Sequence, residues 1–220
     1  MKKKMALTAA FALTALTLAG CSGGEPYEEK SYTADAAEVA AIELDVKDRR
    51  IEVSLSEDGQ IHLNYSENDK EFYDLSLSDD RVLTVSLSTN KEWTDYIGGA
   101  APEDSRLISL QVPDGLLEAL TLSTTNEDIV LPALTVTGEV SLSSNGGDIL
   151  FDRLDAGKAV ALTGKNGDIT GKIAGSCDDY AVSCDIKKGE SSLPESKEGG
   201  DRTLKVSMNN GDVDIRFVSE

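Results

Sequence analysis

Residues 120–131 read LTLSTTNEDIVL, residues 140–151 read VSLSSNGGDILF and residues 160–171 read VALTGKNGDITG. At this twenty-residue spacing Leu120, Leu122 and Thr124 fall on Val140, Leu142 and Ser144, then on Val160, Leu162 and Gly164. The pairs Asp128 and Ile129, Asp148 and Ile149, and Asp168 and Ile169 coincide in the same frame. Apolar and polar residues alternate on both sides of each Asn- or Gly-containing segment, which is the period of a strand with one buried face. Asn and Gly tolerate the left-handed backbone of a tight turn, and Asp can accept hydrogen bonds from turn amides. Each unit therefore reads as a strand, a tight turn and a second strand.

Two looser units follow at a spacing of twenty-two: VSCDIKKGESSL at 182–193 and LKVSMNNGDVDI at 204–215. In the first of them Lys187, Lys188, Gly189 and Glu190 stand where Asn, Gly and Asp stand elsewhere, so its turn need not share their geometry. A fixed period with two short strands suits a β-solenoid, because each coil hides its apolar row only against its neighbours. The fold class expected is all-β, a solenoid-like or β-helix-like stack. An antiparallel sandwich is the competing architecture, since the alternate turns at Pro132 and Ala133, Asp152 and Arg153, and Gly171 and Lys172 are unlike the Asp turns.

Before Leu116 the same alternation predicts strands at 42–46, 51–55, 61–65, 73–77, 82–87 and 107–112. Glu57, Asp58, Gly59 and Gln60 read as a hairpin turn. No Pro- or Gly-rich linker interrupts the chain here, so residues 33–115 are expected to continue the sheets of the repeat units at 116–220 as one domain.

The N-terminus carries an address. Lys2, Lys3 and Lys4 precede an apolar run from Met5 to Leu18, and Leu18, Ala19 and Gly20 lead directly to Cys21. The basic, apolar and small-residue order is that of a signal peptide. The run is shorter than the roughly twenty residues a bilayer-spanning helix needs. Residues 18–21 resemble the lipobox of bacterial lipoproteins, which implies cleavage before Cys21 and a lipid on its sulfur, hence a membrane anchor outside the cytoplasm. Residues 21–32 contain little apolar surface and read as a flexible tether.

Composition narrows the partners. Once residues 1–20 are removed, 18 Lys and Arg face 40 Asp and Glu, a net charge of −22. Such a field repels nucleic acid and anionic headgroups and favours cations or basic partners.

From Ile42 to Phe217 the chain resembles a family of bacterial surface proteins with β-strand repeats, regarded as candidate adhesins and otherwise a domain of unknown function. The residues that carry the likeness are Ile51 to Val53, Ile61 to Tyr65, Val112 and Pro113, Leu120 to Leu131, Asn145 to Leu150, Asn166 to Ile169 and Asn209 to Phe217. The resemblance implies a β-helix-like fold at the cell surface and names no catalytic residue.

The side chains themselves point away from catalysis. His62 is the only histidine, and its strand neighbours Ile61 and Leu63 would face the opposite side, so His62 is expected on the surface. No nucleophile elbow, phosphate loop or zinc spacing is present. If the coils stack in register, Asp128, Asp148, Asp168 and Asp212 form a row at roughly 5 Å spacing. Such a row could hold Ca²⁺, or each Asp could simply close its own turn. Cys177 and Cys184 could form a disulfide in an oxidising space, but Cys184 also falls in the apolar column of Leu122, Leu142 and Leu162, where a free thiol packs well. Trp93 and Tyr96 lie in an aperiodic stretch and could contact a protein or glycan partner, or fold back over a sheet edge. The function these features favour is a non-catalytic, partner-binding or structural surface module; the alternative is a cation-binding, sensory or regulatory envelope lipoprotein.

Overall fold

A computed structural model describes residues 26–92 and 101–219. Its strands are β1 (Glu28–Asp35), β2 (Ala41–Asp45), β3 (Arg50–Leu55), β4 (Gln60–Glu67), β5 (Glu71–Leu77), β6 (Val82–Thr89), β7 (Leu107–Val112), β8 (Ala119–Thr124) and β9 (Ile129–Val136). They continue as β10 (Glu139–Ser144), β11 (Ile149–Ala156), β12 (Ala159–Asn166), β13 (Ile169–Ala174), β14 (Tyr180–Ile186), β15 (Ser196–Lys197), β16 (Arg202–Asn210) and β17 (Val213–Val218).

Two sheets face each other. One has the order β1-β4-β7-β3-β9-β11-β13-β17, and the other β15-β14-β16-β12-β10-β8-β2-β6-β5. In the repeat the strands are parallel and in register, with Leu122 beside Leu142, Leu142 beside Leu162 and Leu162 beside Val206. Ile129, Ile149, Ile169 and Val213 form the matching column in the facing sheet. Those residues are almost wholly buried. The solenoid reading thus holds over the sandwich, for the reason given by the sequence: successive coils supply one another's missing neighbour.

The core is aliphatic and fits by alternating bulk. A side chain at Gly171 would lie 2.2 Å from the Phe151 ring, and one at Gly164 would lie 2.3 Å from the Met208 methyl. The coil with a large residue is therefore stacked on one with none, which keeps native density without strain.

Three features depart from the sequence expectation. The unit at 182–193 is not the fourth coil in space: β16 pairs with β12 on one side and with β14 on the other, so the last unit in the chain slots inside the one before it. The turn at Glu57 to Gln60 does not close a hairpin, because β7 lies between β3 and β4. Pairwise alternation specifies a strand but not its neighbour, and β3 finds parallel partners in β7 and β9 instead. Finally, Glu28 to Tyr32 of the expected tether belong to β1, which runs antiparallel to β4 over eight residue pairs. Glu28 and Lys30 stand on the same side as Tyr32 and Ala34 and mask the alternation, although Tyr32 and Ala34 both pack on the core.

The N-terminal end is built differently from the repeat. β4 and β5 are antiparallel to β7 and β6, so they close the parallel stack rather than extend it.

Candidate functional site

The turns that follow β8, β10, β12 and β16 lie along one edge of the stack, and the repeated Gly–Asp step determines how they meet. A Cβ at Gly211 would lie 1.9 Å from the carbonyl oxygen of Gly167, and one at Gly189 would lie 2.0 Å from that of Gly211. Gly211 also has φ of +147° and Gly189 +130°, a backbone that side chains disfavour. Glycine is thus required twice over, by conformation and by the carbonyl of the coil beneath.

This close approach brings each aspartate onto the next turn. Asp128 Oδ1 accepts a hydrogen bond from the Asp148 backbone N–H at 2.9 Å, Asp148 Oδ1 from Asp168 at 2.7 Å, and Asp168 Oδ1 from Asp212 at 2.8 Å. Asp212 Oδ1 then accepts from the Glu190 N–H at 2.8 Å. The departure at 187–190 now has a cause. Its turn keeps the glycine and donates to the ladder, but among the described residues it is the outermost coil, with no further turn to receive, so an aspartate there would have no amide to bind.

The structure brings together all four aspartates proposed for calcium, in a row and with one carboxylate oxygen of each committed to a neighbouring coil. Among the described residues no three His, Cys, Asp or Glu side chains are grouped so as to hold a metal ion. The ladder starts at Asp128 because Arg50 occupies the equivalent place on β3, whose Ile51 pairs with Ile129.

Beside Arg50 sits the feature the sequence reading missed. Arg49 is 1% exposed, donating from Nε to the Tyr73 hydroxyl at 3.0 Å and from an Nη to Glu71 Oε2 at 2.9 Å. Lys91 Nζ lies 2.6 Å from Glu71 Oε1, and the Tyr27 hydroxyl donates to Glu71 Oε2. Burial alone would raise the Glu71 carboxyl. Hydrogen bonds from Lys91 and Tyr27, with the charge and hydrogen bond of Arg49, outweigh it and hold the group down to about 2. Burial pushes the neighbouring Tyr65 hydroxyl up to about 12, and its ring lies 4.7 Å from that of Tyr73. In the sequence Glu71 was hidden because it opens an apolar run, and Arg49 because it stands in a cluster of charged turn residues.

His62 lies on the outer face of β4, as expected. Its Nε2 is 2.9 Å from Asp58 Oδ2 and its Nδ1 is 3.2 Å from Thr33 Oγ1. The Asp58 carboxyl is held below its ordinary value by the Gln60 backbone N–H and by His62. Hydroxyl, imidazole and carboxylate are thus in sequence, but Thr33 and Asp58 are exposed. Two cavities, of about 430 and 280 Å³, open elsewhere, and none of the three residues lines either.

Cys177 and Cys184 are free thiols, not a disulfide. Cys184 takes the alternative place foreseen for it, buried in the column beside Val206, with its sulfur 3.4 Å from Ser191 Oγ. Cys21, Trp93 and Tyr96 lie outside the described residues.

The Toastrack DUF4097 family pattern matches residues 39–217, from the approach to β2 to the end of the stack. The chain belongs to this family. A comparison with curated proteins finds no match. Among solved structures, the Toastrack chain is similar to a candidate cell adhesion protein from Clostridium sporogenes, with 13% identity over 87% of this chain and 100% of that one at a TM-score of 0.58. At that identity what is shared is the fold. Candidate adhesins from Bacteroides fragilis and Parabacteroides merdae match with 12% and 16% identity. They cover 86% and 89% of this Toastrack chain and 97% of their own, with TM-scores of 0.35 and 0.29, a level that fixes no common geometry.

Proposed function

We propose that this Toastrack protein is a non-catalytic, extracytoplasmic lipoprotein, anchored through a lipid on Cys21, whose rigid acidic stack serves a structural or partner-binding role at the cell surface. The observation that carries the reading is the ladder: the one polar group repeated from coil to coil bonds the coils to each other. A catalytic centre needs groups that converge on a reacting atom, whereas here the repeated groups run in parallel along an edge. The Thr33, His62 and Asp58 series stands on an open sheet face without a lined cavity, which disfavours it as a hydrolytic triad. The adhesion-related name of the Clostridium sporogenes relative agrees with a surface location, and the net charge of −22 for residues 21–220 disfavours nucleic acid as a partner.

Two acyl chains hold a protein stably at a bilayer where one does not. Cys21→Ala is therefore expected to move the protein from the membrane to the soluble fraction, and unchanged fractionation would refute the anchor. Pull-down from the native envelope together with a glycan array tests the binding role. Hydrolysis of an envelope polymer, abolished by His62→Ala, would replace the non-catalytic reading with an enzymatic one.

A further inference from the structure

The two ends of the stack are finished unequally. At the C-terminal end β15 covers part of the edge of β14, pairing Ser196 with Ser183 and Lys197 with Val182. The edge of β17 is covered by residues 190–192, where the Ser192 hydroxyl donates to the Ile215 carbonyl at 2.8 Å and accepts its N–H at 2.9 Å. One side chain there replaces a whole pair of ladder bonds.

The N-terminal end lacks an equivalent on the second sheet. The first sheet runs past β4 to β1, whereas the second stops at β5, so the place opposite β1 holds no strand among the described residues. In β5 the pairing of Phe72 with Ser88 and Asp74 with Ser86, together with the Asn90 N–H bond to the Lys70 carbonyl, directs the even residues toward β6. Tyr73, Leu75 and Leu77 therefore point their backbone groups outward. Glu67 Oε2 accepts the Tyr73 N–H at 3.1 Å, and the outward N–H and carbonyl of Leu75 and Leu77 meet no partner among the described residues. Leu77 is also 38% exposed. Natural sheets blunt such edges with Pro, bulges or inward charges, and this one is left unpaired next to two leucines.

At the head of that edge lies the 430 Å³ cavity, lined among others by Glu28, Lys30, Glu67, Asp69, Phe72 and Asn90. Lys30 is paired with Glu28 at 2.8 Å and also lies in the field of Glu67, so one ammonium faces the three carboxylates of Glu28, Glu67 and Asp69 beside an aromatic ring. Open backbone groups accept an extended chain of any sequence, and alternate side chains of that chain fall into neighbouring pockets. The charge beside the edge selects the sign of those side chains.

We propose that β5 is a docking edge for an extended, basic segment of another protein, which adds as a further strand opposite β1 and places a Lys or Arg side chain in the Glu67 and Asp69 cavity. The inference rests on the partner-binding reading above and names the chemistry of the partner. It does not depend on the anchor at Cys21.

The test uses the full-length chain purified in detergent and a fluorescent nine-residue peptide of alternating Lys and Val, with capped ends. Saturable binding is expected, with slowed hydrogen exchange at the Leu75 and Leu77 amides. Leu75→Pro removes an outward N–H, a position where an edge strand tolerates proline, and should weaken binding at least tenfold while thermal unfolding stays cooperative. Glu67→Gln with Asp69→Asn should weaken it severalfold and flatten its salt dependence. Equal binding of a peptide of the same charge with Pro in place of Val, which cannot pair as a strand, would overturn the proposal in favour of attraction to the acidic surface alone. Self-association lost on Leu75→Pro without any peptide would overturn it in favour of a second copy as the occupant. In either case the envelope pull-down and the glycan array would still be free to find a partner on another face, so the two readings fail separately.

Discussion

The two halves of the molecule hold the same edge together by opposite means. From Asp128 to Glu190 the turns are joined by partly exposed carboxylates, each accepting one N–H from the next coil. At the equivalent place on β3 the chain buries Arg49 against Glu71 and Tyr73. The contrast follows from the residues in the turns. The ladder ends inside the parallel stack, since β3 pairs in parallel with both β9 and β7 and carries Arg50 where an aspartate would stand. There Asp48 Oδ1 accepts from Asn126 Nδ2 of the neighbouring turn at 2.6 Å, while the backbone carbonyls of Lys47 and Asp48 accept from the Arg49 guanidinium, so a long cation takes the place of the repeated bond. Repetition distributes stability in small equal parts, and a closure concentrates it.

The sharpest way to break the comparison is at the concentrated side. Glu71→Ala leaves Arg49 buried without its carboxylate, and removing one member of such a pair costs about 3–5 kcal/mol, measurable by urea unfolding. Acid should reach the same contact. The Glu71 carboxyl is depressed in the folded state, so its contribution is complete above the ordinary carboxylate value of 4.5 and is lost as pH falls toward about 2. Hydrogen exchange should show β5 opening across that window, ahead of β10 and β12.

Within the repeat, steric fit outranks the ladder. Gly171→Ala drives a methyl into the Phe151 ring and is expected to cost about 1–3 kcal/mol, the range for overpacking. Pairing it with Phe151→Leu should recover part of the loss, and additive losses in the double variant would show that the ring is not the cause. Asp168→Ala removes one hydrogen bond and is expected to cost about 0.5–1.5 kcal/mol. Asp168→Asn keeps an acceptor oxygen and should cost less. A loss at Asp168 as large as that at Glu71 would end the distinction between distributed and concentrated stability. The smallest effect expected is that of millimolar calcium, which should leave the melting temperature unchanged because the turn carboxylates already serve the neighbouring coils.

The parts of this fold that were legible in the sequence are those written more than once. Three copies of a strand, turn and strand pattern at one spacing fixed the register of Leu122, Leu142 and Leu162, and alternation alone located β2 to β7. The Asp column was visible too, though its use was not, since one spacing serves a metal row and a hydrogen-bonded ladder equally. What stayed hidden occurs once. The Arg49 cluster joins residues 22 positions apart through side chains, β1 was masked by the charges of Glu28 and Lys30 on the side of Tyr32 and Ala34, and the exchange of the last two coils changes no residue pattern at all. Only the missing aspartate at Glu190 hinted at that exchange, by marking a unit with nothing beyond it.

That exchange governs how the molecule can be completed. In the order of synthesis β14 arrives before the strand it pairs with in parallel, because β16 follows it in the chain. A product stopped at residue 201 would not be a slightly shorter stack. It would carry an orphaned strand beside a vacant slot, exposing Val182 and Cys184 together with Val160 and Leu162. Closure at that end thus waits on β16, and proteases would meet any product lacking it as an open, cleavable chain.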